Sequence, residues 1–87
     1  MGRMLHILKE INSTDALAII AREAQQPSQA LSILLIQEAV RLPIDLPSKI
    51  FVLDEDVKAR GVVSKFEKIN YSKMLNLILS SDSVVVW

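Results

Sequence analysis

Three acids and two bases crowd around one valine in "VLDEDVKARG" (52–61), the densest run of charge in the chain. Asp54, Glu55 and Asp56 are hard oxygen donors, the residue types that hold calcium or magnesium when they converge on one point. Their spacing argues for another use. A calcium loop alternates its ligands, whereas three adjacent acids at a helix start fan outward. Asp54 directly follows an apolar run, where its carboxylate can accept backbone N–H bonds from a new helix. Glu55 and Asp56 fall in the first turn, where the helix dipole favours negative charge. Asp54–Lys58 and Asp56–Arg60 are i,i+4 pairs with the acid first, the better orientation. Gly61 stands where a helix end takes a left-handed residue. The stretch reads as a capped helix.

The remaining candidates for chemistry are few. His6 is the only histidine, and it sits inside the apolar run "MLHIL" (4–8). Ser13 and Thr14 supply hydroxyls, but nothing in the spacing sets up a nucleophile–base–acid arrangement. A hydrogen-bonded, partly buried histidine is the reading. The turn "KEINSTD" contains no glycine, so it is neither a dinucleotide fingerprint nor a phosphate loop. The chain has no cysteine, which excludes disulfides, thiolate metal sites and persulfide or thiol catalysis by its own residues. No catalytic, metal-binding or cofactor-binding residue is assigned. Trp87, the last residue, either packs over its own domain or anchors a subunit interface, where tryptophan is enriched.

Strands and helices alternate along the chain. "MLHIL" is a buried strand. "INSTD" then starts a helix, with Ser13 or Thr14 as cap, Asp15 in the first turn, and Leu17, Ile20, Ala21 and Ala24 at helical spacing. That helix ends at or before Pro27. "ALSILLI" (30–36) is apolar on nearly every residue and must be covered on both faces, the mark of a parallel sheet. A brief helical stretch follows at "QEAVRL" and a proline-rich loop at "PIDLPS" (43–48). "KIFVL" (49–53) is the third strand. "VSKFEKI" holds a weak, polar fourth strand suited to a sheet edge. Asn70 caps a helix whose Tyr71, Met74, Leu75, Ile78 and Leu79 share one stripe, so Tyr71 and Met74 read as core residues. "SVVVW" is the fifth strand.

These elements predict a single α/β domain over residues 1–87, a three-layer α/β/α sandwich around a five-stranded parallel sheet. "MGR" reads as an extension before the first strand. All strands of such a sheet end on one edge, where ligands of open α/β folds bind. That edge collects Asn12, Ser13, Gln37, Glu38, Asp54, Glu55, Asp56, Asn70 and Trp87.

A chain of 87 residues hides only about 60–65% of its unfolded surface, yet 51% of its residues are hydrophobic. Apolar surface is left over, which favours a protein partner or a homo-oligomer. Ten basic residues balance ten acidic ones, so no net field draws the chain to nucleic acid or membrane. No apolar run approaches membrane-spanning length, and "MLHIL" passes straight into charged "KE" instead of a signal-peptide core. The cytoplasm is the expected location.

"MLHIL", "LLIQEAV" (34–40), "VLDEDVKARG", "YSKMLNLI" (71–78) and the closing Trp87 together resemble the TusB/DsrH sulfur-relay family over nearly the whole chain. The resemblance implies a cytoplasmic DsrEFH-like fold and a place in hetero-oligomers that pass persulfide sulfur between proteins. One branch serves 2-thiolation of the tRNA wobble uridine, the other sulfur oxidation. Some relatives carry a cysteine in the first helix, where this chain has Ala18, Ile19, Ile20 and Ala21. Lacking it, the chain is expected to be a non-catalytic subunit beside cysteine-bearing paralogues, meeting tRNA only indirectly. A homodimeric or larger self-assembled module for a small ligand is the alternative. Gln37, Asp54, Glu55, Asp56, Arg60 and Trp87 are the residues expected at the interface or strand-end edge.

Overall fold

The computed structural model describes residues 2–12, 14–25, 29–46 and 48–87. Ser13 and Pro27, named above as a helix cap and a helix stop, lie outside them. The elements run β1 (Gly2–Leu8), α1 (Thr14–Glu23), β2 (Gln29–Leu35), a 3-10 turn η1 (Gln37–Arg41), β3 (Lys49–Leu53), α2 (Asp54–Ala59), β4 (Glu67–Ile69), α3 (Tyr71–Ser80) and β5 (Ser83–Val86). All strand pairs are parallel and the order is β4-β3-β2-β1-β5. This is the three-layer α/β/α sandwich that the alternation predicts, and it is consistent with a DsrEFH-like fold.

Side-chain alternation sorts the core into two halves. Leu8, Ile33, Leu35 and Val52 point to one face, where Ala16 and Ile20 of α1, Ala39 and Val40 of η1, and Val57 of α2 cover them. Leu5, Ile7, Leu34, Phe51 and Ile69 point to the other, covered by Met74, Leu77 and Ile78 of α3. Ile33, Leu34 and Leu35 are fully buried, which accounts for the unbroken apolar run of β2. The polar β4 is three residues long and forms one edge, as its composition predicts.

Three boundaries differ from the sequence reading. Gly2 and Arg3 belong to β1, paired with Gln29 and Ala30, and the Arg3 N–H donates to Asp82 at 2.7 Å. β2 begins one residue earlier and ends at Leu35, and Trp87 lies just beyond β5.

The larger difference concerns α3, none of whose residues is buried. Its burial line runs through Met74, Leu77 and Ile78, while Tyr71 is 52% exposed, Leu75 54% and Leu79 74%. Tyr71 is therefore not a core residue. Width explains the leftover. Five strands at roughly 4.8 Å spacing make a sheet about 19 Å across, and one helix with its side chains covers about 10–12 Å. On one flank of α3, Lys73 pairs with Glu67 of β4 at 2.8 Å, and Leu77 and Ser80 border residues of β2 and β3. The opposite flank, with Leu75 and Leu79, therefore turns toward β5. There Val84 and Val86, in register with Leu5 and Ile7, face the same side and stay 37% and 57% exposed. An apolar margin results along α3 and β5.

Candidate functional site at the strand-end edge

β2 leaves the sheet through an extended Ile36, and the chain then turns at Gln37 with φ 52°. A non-glycine residue in this region costs about 1–2 kcal/mol. Asp56 holds the turn in place, because its Oδ2 accepts the Gln37 N–H at 2.8 Å. The other oxygen of Asp56 accepts from Arg60 Nη1 at 3.3 Å, and Arg60 Nε donates to Glu38 Oε1 at 2.8 Å. Arg41 Nε completes the chain on Glu38 Oε2 at 3.2 Å. The Arg60 hydrogen bond, aided by the charges of Arg60 and Arg41 and opposed by desolvation, holds the Glu38 carboxyl below its ordinary range.

The rest of the acidic run is occupied as well. Lys58 Nζ lies 2.9 Å from Asp54 Oδ2, and that hydrogen bond raises the lysine above its usual value. Asp54 does not cap its helix. Leu53 is the N-cap and no side chain bonds there, because the helix begins one residue earlier than the cap reading requires. Asp54 is thus the first helical residue, reaching one turn forward to Lys58. Glu55 meets the Tyr71 hydroxyl, and this hydrogen bond, with the carboxylate charge, raises the phenol above its ordinary value. Gly61, at φ 59°, ends the helix as predicted.

Gln37, Asp54, Glu55, Asp56 and Arg60 are therefore brought together at the ends of β2 and β3, around η1 and α2. Exposed pairs of this kind contribute about 0–1 kcal/mol each. Asp56, whose side chain is only 18% exposed and holds both a backbone N–H and an arginine, is the member that fixes geometry. Among the described residues no group of three or more His, Asp or Glu side chains could hold a metal ion. Every acid of the run already has a partner, so the cluster joins η1, α2 and α3.

Trp87 stands apart, past the ends of β1 and β5. Its backbone N–H donates to the Ile7 carbonyl at 2.9 Å and its indole Nε1–H to His6 Nδ1 at 3.0 Å. His6 is fully buried, not partly, at 1% exposure. Its Nε2 lies 2.7 Å from Glu23 Oε2. An indole can only donate, so Nδ1 accepts and Nε2 carries the proton given to Glu23. Both imidazole nitrogens are thus engaged by protein partners. Glu23 is the partner that sequence reasoning missed. It lies seventeen residues from His6 and reads as an ordinary helix acid. The one available signal was that a buried histidine flanked by apolar residues needs an acceptor from elsewhere.

Beside Trp87 lies a cavity of about 260 Å³ lined by Glu10, Asn12, Thr14, Asp15 and Ala16. It sits beyond the ends of β1 and β5, where the strand order reverses direction, the usual ligand position in open α/β sheets. Among the described residues no helix is long and apolar enough to cross a membrane. No family model matches the sequence, and no curated protein is significantly similar to it.

Proposed function

We propose that this chain is a non-catalytic subunit of a sulfur-relay complex, one that holds a cysteine-bearing partner whose persulfide supports 2-thiolation of the tRNA wobble uridine. The observation that carries the subunit role is the apolar margin of Leu75, Leu79, Val84 and Val86, on the face of the sheet opposite α2 and its paired acids. Exposed apolar residues gathered along one edge in this way favour protein association. The sulfur chemistry rests on the resemblance, and the absence of any thiol assigns the persulfide to the partner.

The experiment pairs the purified chain with a cysteine-bearing DsrEFH-type subunit from the same source and follows assembly by native mass spectrometry. The wild-type chain forms a hetero-oligomer, and Leu75→Ser with Leu79→Ser reduces it at least tenfold while the far-UV spectrum is retained. In cells, deleting the gene lowers 2-thiouridine in tRNA, and only the wild-type chain restores it. Unchanged 2-thiouridine would remove the tRNA branch and direct attention to sulfur oxidation. The cavity beside Trp87 favours a second reading, a self-assembled small-ligand module. At about 260 Å³ it falls below the roughly 300–1,000 Å³ of typical ligand sites, so the subunit reading stands first.

A further inference from the structure

Beyond Gly61 the chain is held on both sides of a valine that its own fold leaves uncovered. The Val62 N–H donates to the Val57 carbonyl at 3.1 Å, and the Val62 side chain packs against the core under η1 and α2. The Ser64 hydroxyl accepts the Phe66 N–H at 3.2 Å, and Phe66 packs against the same core. Between these anchors Val63 is 99% exposed. A solitary surface valine would need no explanation, but Val63 borders a groove of about 400 Å³ whose floor is Val40, Leu42, Val62 and Phe66. Arg41 and Lys65 carry the charge of the lining, and no acid lines the groove among the described residues. Arg41 is shared with Glu38. Lys65 Nζ lies 5.6 Å from the centre of the Phe66 ring, and Lys68 Nζ reaches the Ser64 carbonyl at 3.5 Å. Among the described residues neither lysine has an ion pair.

We propose that this groove docks an acidic, apolar segment of a partner protein. Large apolar side chains of the segment cover Val63 and fill the floor, and its carboxylates pair with Lys65 and Lys68. The bonds on either side of Val63 hold the loop in place before the segment arrives, which lowers the ordering cost of docking. Nucleic acid fits the surface less well. Two lysines release few counterions, and Phe66 already carries a lysine over its ring, where a base would stack. The groove lies on the face covered by α1, η1 and α2, beside β4, whereas the margin of Leu75, Leu79, Val84 and Val86 lies on the other face toward β5. One chain can thus hold two partners at once, and the inference does not depend on the sulfur chemistry.

The test titrates the full chain with a short capped peptide alternating leucine and glutamate, and with its leucine–lysine counterpart, followed by proton–nitrogen NMR. The glutamate peptide is expected to shift the amides of residues 40–43 and 62–66 with a dissociation constant below about 1 mM, and the lysine peptide to leave them in place. Val63→Ser should weaken the glutamate peptide about tenfold. Lys65→Glu with Lys68→Glu should reverse the preference between the two peptides, a change that damage to the fold would not produce. All three positions are exposed, so both variants are expected to fold, with far-UV dichroism as the check. No shift at the groove up to about 5 mM peptide would overturn the proposal, as would an unreversed preference. Binding of an oligothymidylate at the groove in place of the glutamate peptide would assign the surface to nucleic acid instead. A self-associated chain whose mass falls on Val63→Ser in sedimentation would assign it to a second copy, and either result defeats the proposal.

Discussion

Gln37 and Gly61 occupy nearly the same left-handed backbone conformation, at φ 52° and 59°, at opposite ends of the Asp56–Arg60 network. Only the glycine suits it. At Gln37 the strain persists because Asp56 accepts the backbone N–H, a bond that any residue but proline can make. Gln37→Gly should therefore stabilise the protein by about 0.5–1 kcal/mol, the relief of strain exceeding the added freedom of the unfolded chain. Gly61→Ala should cost about 1 kcal/mol through φ alone, since an added Cβ meets nothing within 4 Å. Urea titrations of the two variants should shift in opposite directions. If Gln37→Gly is destabilising, the Asp56 bond is not what holds the turn.

At the scale of elements, Asn70 and Asp54 are both polar residues at the start of a helix, and only one of them is a cap. Asn70 Oδ1 accepts the Lys73 N–H at 2.9 Å, satisfying a free amide at the start of α3. Asp54 makes no such bond and pairs with a lysine that is 75% exposed. Asn70→Ala should cost about 1 kcal/mol, and Asp54→Ala only a few tenths, in thermal or chemical unfolding. Residue type alone could not tell these positions apart, because asparagine and aspartate are equally good caps and the difference is one residue of register. The stripe of α3 was legible in the same limited sense. Periodicity fixes which residues share a helix face, but not how wide a surface lies opposite. The five strands and their parallel sense were readable because β2 is apolar at almost every position, and only a doubly covered sheet accepts that. The Glu38–Arg60 and His6–Glu23 contacts were not, since each joins residues that only the folded topology brings near.

For the whole molecule, the strand order β4-β3-β2-β1-β5 decides where the protein is weakest. β1 and β2 lie between two strands each and contribute five of the largest fully buried apolar side chains: Leu5, Leu8, Ile33, Leu34 and Leu35. β5 has no buried residue and one sheet neighbour, and β4 has one buried residue, Ile69. Local opening needs the least energy where few apolar contacts must be broken. Amides of β1 and β2 should therefore exchange with solvent only through global unfolding, while those that bond β5 to β1 and β4 to β3 exchange at least about 100-fold faster. Hydrogen exchange read by NMR or mass spectrometry checks this ranking, and uniform protection across the five strands would contradict it. The outcome bears on association as well. β5 carries Val84 and Val86 of the apolar margin and leads directly into Trp87, so the surface proposed for a partner lies on one of the two strands expected to open first. A partner docked there must slow exchange in β5 more than in β4, because it supplies the apolar cover that α3 is too narrow to provide. Equal slowing at both edges would mean that the partner binds elsewhere and stabilises the fold only in general.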